Sequence, residues 1–138
     1  MTKWYAINMS KKNKEYDQNV IAALKALPIP LKTSNGHEVR FDVDKRNETI
    51  FEHIANKEHH IHVKDVAVIP QILQDKASLK NDKNGHKFRT YIGKRGKQKE
   101  RLKYLKIVTE VKKNKKESVV TIYPVKNKDW KSAHILLE

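Results

Sequence analysis

Three β-rich runs crowd the second half of this 138-residue chain, and they constrain its fold more than anything else in it. Phe88–Ile92, Leu102–Val111 and Val119–Val125 are rich in branched and aromatic residues. The polar stretches Gly93–Glu100 and Lys112–Glu117 separate them and suit hairpin loops. Consecutive strands joined by short polar loops predict an antiparallel meander. In the last run, Val119-Val120-Thr121-Ile122-Tyr123, strict alternation puts Thr121 and Tyr123 side by side on one face. Two hydroxyls then stand together where a simple buried face would carry apolar side chains.

The first half reads differently. Val20, Ile21, Ala23, Leu24 and Leu27 have helical spacing, and Pro28 and Pro30 end the helix. Asn35-Gly36 is a tight-turn signal that predicts a hairpin between Ile29–Lys32 and Val39–Val43. Asn47-Glu48-Thr49 opens a second helix, with Asn47 as its N-cap and Ile50, Phe51 and Ile54 as its apolar face. Asp65 to Gln74 forms a further helical region in which Pro70 starts a fresh turn. Helices first and an antiparallel sheet afterwards predict an α+β fold, with N-terminal helices packed on about four strands. Residues 1–47 read as an N-terminal extension holding a helix and a hairpin, and 48–138 as the core.

Charge narrows the function. Lys and Arg number 30 against 16 Asp and Glu, a net of +14. Residues 80–116 hold 15 basic and 3 acidic groups, whereas 1–79 hold 12 and 10. A block this basic binds a polyanion by releasing counterions, which favours nucleic acid over mere solubility or an anionic membrane. The glycine-rich basic loop Gly93-Lys94-Arg95-Gly96-Lys97 lacks the spacing of a P-loop and reads either as a hairpin tip that touches phosphates or as a solvated turn. Tyr91, Lys94, Arg95, Lys97, Arg101 and Lys103 are therefore the candidate nucleic-acid contacts. The chain has no cysteine, which excludes disulfides and thiolate metal sites. Met1 to Ser10 has no apolar core of a secretory leader, and no run of 18 apolar residues exists, so a cytoplasmic protein without membrane contact is expected.

Histidine supplies the candidate chemistry. Five of the seven fall between His37 and His62, and an imidazole can both take and give a proton near neutral pH. His53 sits on a helix edge, and His59 and His60 follow at the helix end. His60 and His62 flank Ile61 and, on a strand, would share a face from which they and Asp65 could hold zinc. No helical His pair or cysteine set supports that reading, so neither a metal nor a cofactor is expected. Lys106, on a central strand, is either a solvent-facing residue or a phosphate ligand.

These residues resemble a known superfamily. The helix opening Glu48-Thr49-Ile50-Phe51-Glu52-His53-Ile54, the segment Asp65 to Leu73, Tyr91-Ile92, the strand Lys103–Val108 and the closing Val-Val-Thr-Ile-Tyr are similar, in order and spacing, to the phage-associated branch of the barnase–EndoU–colicin–RelE ribonucleases. The resemblance covers roughly the stretch from Glu48 to Tyr123 and leaves out the first 47 residues. It implies metal-independent endoribonuclease activity: attack by RNA's own 2′-hydroxyl, leaving 2′,3′-cyclic phosphate and 5′-hydroxyl ends. His53 would fill the helix histidine position, His59 or His60 the second, Lys106 the basic strand position, and Thr121 and Tyr123 the closing pair. The doubled histidine and the very basic 80–116 block depart from the family pattern. The expected partner is RNA, and a toxin-like member would also take an acidic inhibitor protein. The alternative is a non-catalytic basic module that holds nucleic acid by phosphate contacts. The enzyme reading requires the imidazole of His53 and the phenol of Tyr123 to converge on one basic groove.

Overall fold

A computed structural model describes residues 15–44, 47–80, 87–96 and 102–126 of the chain. Helix α1 spans Gln18–Lys25; the Asp17 carboxylate caps it by accepting the Asn19 and Val20 amides, and Val20 and Leu24 face the core. Strands β1 (Leu31–Lys32) and β2 (Glu38–Arg40) form the expected hairpin, with Leu31 opposite Val39. Gly36 turns it at φ 81°, a left-handed conformation that favours glycine.

Helix α2 (Ile50–Ala55) starts two residues later than Asn47 predicts. Thr49 is the N-cap: its hydroxyl accepts the Glu52 amide while the Glu52 carboxylate accepts the Thr49 amide. Asn47 instead adopts a left-handed φ of 66° in the turn before it. Ile50 and Ile54 are fully buried, as their spacing predicts. After a short 3₁₀ turn at Lys57–His59 come α3 (Val63–Ala67) and α4 (Ile69–Gln74). The break between them falls at Val68, and Pro70 lies in the first turn of α4 because it has no amide to donate there.

Strands β3 (Phe88–Lys94), β4 (Tyr104–Lys112) and β5 (Lys116–Val125) make the predicted antiparallel meander. The sheet has five strands rather than four, in the order β1-β2-β5-β4-β3. The N-terminal hairpin completes it, and β2 runs parallel to β5, with Val39 opposite Glu117. The fold is α+β with a mixed sheet.

All four helices of the described residues contribute to one apolar cluster. Val20, Leu24, Ile50, Ile54, Val66, Ile69, Ile72 and Leu73 meet Tyr91, Leu105, Ile107, Val119 and Ile122 of the sheet. Val119 and Ile122 are three apart yet share this face. A bulge opposite Val108 and Thr109 inserts the extra residue and re-aims the strand. Gly93 also faces the helices, since a Cβ there would lie 2.6 Å from the Ile72 side chain. No helix among the described residues is long and apolar enough to cross a membrane.

Candidate nucleic-acid interface and the titratable clusters

Helix α2 carries His53 out of the core edge. Its Nδ1 lies 3.1 Å from Glu48 Oε1, and Glu48 Oε2 accepts a 2.8 Å hydrogen bond from the Tyr16 hydroxyl. A carboxylate at Nδ1 favours the tautomer with a proton there, which leaves Nε2 as an acceptor. Burial, then the Glu48 carboxylate, push the Tyr16 phenol up to about 12. The His59 ring meets the His53 ring edge-on, with centroids 5.2 Å apart and planes at 78°. His60 departs from the pair. It takes a left-handed φ of 57°, its side chain is exposed, and its carbonyl accepts from Arg95. Of the doubled histidine, His59 is therefore the one beside His53.

Lys106, Thr121 and Tyr123 project from the opposite face of the sheet. Lys106 pairs across strands with Tyr123, and its Nζ stands 5.4 Å from that ring. The side chain is fully buried and, among the described residues, Nζ has no hydrogen-bond partner. Burial drives the ammonium down to about 8 and the Tyr123 phenol up to about 12. Their chain neighbours Ile107 and Ile122 lie on the helix face, so strand alternation sets the sheet between this group and His53. The single groove expected for imidazole and phenol is not formed. Lys106, Thr121 and Tyr123 lie together on one face, as expected, but α2 packs against the other.

Two further expectations change. The sequence predicts a phosphate contact for Arg95, but it is buried and its guanidinium makes four hydrogen bonds within the protein. It donates to both Asp65 oxygens at 3.1 and 2.7 Å, to the Leu102 carbonyl and to the His60 carbonyl. Gly96 closes this lock: its amide donates to Asp65, and a Cβ there would lie 2.0 Å from the Lys64 carbonyl oxygen. Tyr91 likewise turns inward, is fully buried and donates to Glu117. The zinc reading of His60, His62 and Asp65 fails on the same geometry. Asp65 is held by Arg95, and His62 caps α3 by accepting the Lys64 amide. Lys94 and Lys103 are exposed at one end of the meander, as contacts must be. Lys97 and Arg101 lie outside the described residues.

Two features escape a linear reading. The first is Glu117, fully buried, whose carboxylate accepts from Tyr91 Oη and Thr109 Oγ1 at 2.7 Å each. It also meets His37 Nδ1 at 2.9 Å and Arg89 at 3.4 Å. The alternation of Glu117 with Val119 signals an inward glutamate. The second is the β4–β5 turn, where Asn114 and Lys115 take left-handed φ values of 64° and 56°. Lys87, Lys112, Lys113, Lys115 and Lys116 gather at this end. Glu110 answers two of them, Lys87 and Lys112, which hold its carboxyl below its ordinary value.

No family model, curated protein or solved structure matches the chain.

Proposed function

We propose that this chain is a basic nucleic-acid-binding domain of the cytoplasm whose ligand is RNA. The carrying observation is the lysine cluster at the β4–β5 turn, five ammonium groups to which, among the described residues, Glu110 is the one acidic side chain paired. Exposed lysines in water interact weakly with each other but strongly, as a set, with a phosphate chain that sheds counterions. Lys94 and Lys103 extend the positive surface to the far end of the same strands. The measurement is binding of a labelled RNA by fluorescence anisotropy, in EDTA, across a salt series. Exchanging Lys113 and Lys115 for Ala should weaken binding and lower the salt slope by about one per lysine. Unchanged affinity and slope would remove the turn from the interface.

A second reading has its own support in the Glu48–His53–His59 group. Two adjoining imidazoles, one oriented by a carboxylate, are a base and an acid for metal-independent RNA cleavage. One removes the 2′-hydroxyl proton and the other protonates the leaving 5′-oxygen. Lys106, Thr121 and Tyr123 have no part in this version. RNA would be cut to 2′,3′-cyclic phosphate and 5′-hydroxyl ends, and its all-deoxy copy would survive. His53→Ala or His59→Ala would then each lower the rate by ~10²–10⁴. RNA that binds in EDTA and stays whole leaves the binding domain alone.

A further inference from the structure

We infer that the cleft between the end of α1, the β1–β2 hairpin and α2 is a pocket for a single unstacked nucleobase. This rests on the nucleic-acid reading above. The cavity holds about 280 Å³, at the small end of ligand pockets, so it admits one planar ring system and not a helix or strand. Leu31 and Val39 line its floor, and Phe41 and Phe51 form its wall as a stacked pair with centroids 5.7 Å apart. Aromatic rings of this kind receive the splayed bases of single-stranded RNA, because every base has a π-face.

The polar rim suits the rest of a nucleotide. Lys25 stands 5.7 Å over the Phe51 ring and Arg40 also lines the cleft, two cations for a phosphate that follows the base. Glu38 and Asp42 also line the cleft. Glu38 already accepts from Arg40 at 3.2 Å, an exposed pair that solvent and ligand can exchange. Glu38, one of the lining residues, pairs with Lys116 of the lysine turn across the β2–β5 ladder. A strand whose phosphates rest on that turn can place a neighbouring base here. Ile29, 89% exposed, stands at the entrance as an apolar lip.

The test compares a short uridine-rich RNA carrying one 2-aminopurine with an abasic oligonucleotide of equal length and phosphate number. The expected result is tighter binding of the base-bearing RNA by about tenfold, with a change in 2-aminopurine emission on binding. Phe41→Leu and Phe51→Leu, which keep apolar volume, should each remove most of that gain and leave the salt slope unchanged. Equal affinity for both oligonucleotides, with salt-dependent binding intact, overturns the pocket and spares the lysine interface. A hydrophobic protein side chain as the true occupant would give that result. No binding of either oligonucleotide at low salt overturns the function and the pocket together. The abasic comparison uses the natural chain, so it decides even where a substitution unfolds the protein.

Discussion

Glu117 and Lys106 are two buried charges on opposite faces of one sheet, and their surroundings could hardly differ more. Glu117 collects two hydroxyls, an imidazole and a guanidinium. Lys106 has a tyrosine ring and, among the described residues, no hydrogen bond. Burial alone is therefore no guide to what a charge does for a fold. A paired carboxylate ties four elements of sequence to one point, whereas a lone ammonium carries its desolvation cost uncompensated.

The largest effect should come from the paired site. Glu117→Leu strands the Tyr91 and Thr109 hydroxyls, His37 and Arg89, and should cost about 3–5 kcal/mol in a urea denaturation series. A loss under about 1 kcal/mol would mean the cluster contributes little. Lys106→Met should act in the opposite sense, stabilising by about 1–3 kcal/mol, because an apolar chain of similar length replaces an unpaired charge. A destabilised variant would show that the ammonium has a role the sheet depends on.

The pH dependence sharpens the contrast. The Lys106 ammonium titrates at about 8 when folded, against 10.5 ordinarily. Below pH 8 it is charged in both states and the full burial penalty applies. Between about 8 and 10.5 the folded state sheds its proton while the unfolded state keeps it, so stability rises with pH. The advantage of Lys106→Met over the natural chain should shrink across that window, by roughly 3 kcal/mol at most. Above pH 10 the Tyr16 and Tyr123 phenols, raised to about 12, have the reverse sign in both proteins. The unfolded chain ionises them first, and stability falls. An advantage that stays constant from pH 8 to 10.5 would show that Lys106 is not the titrating group.

The smallest effect on folding belongs to the turn. Lys113→Ala with Lys115→Ala should move the urea midpoint by less than about 0.5 kcal/mol, since both side chains are exposed and unburdened by packing. The same pair carries the expected change in RNA binding, so stability and affinity should separate there.

Much of the fold was legible because its signals are local. The proline stop after α1, the Asn35-Gly36 hairpin, the fresh turn at Pro70 and the three alternating strands depend on neighbouring residues only. Two things were not legible. The joining of β2 to β5 is a parallel pairing between distant segments, and no short-range pattern announces it. The second was which face of β5 meets the helices. That strand is buried on both sides, so alternation groups Thr121 with Tyr123 correctly but cannot orient the pair. The bulge at Val108/Thr109 then breaks the period between Val119 and Ile122. In the candidate site, the sequence puts His53 on a helix edge and His59 or His60 near the helix end, but which of the two meets His53 depends on the left-handed turn at His60. The inward turn of Arg95 was not legible either, because its partner Asp65 lies on another element.

The β2–β5 ladder also sets an order on how the protein can be made. A ribosome releases the hairpin of β1 and β2 long before it has built the segment that must lie alongside. Until then the edge of β2 that β5 will cover is open, a state that invites wrong pairings. Maturation of the early half thus waits until β5 has been translated, and ribosome-bound chains cut short before Lys116 should leave β1 and β2 open to protease.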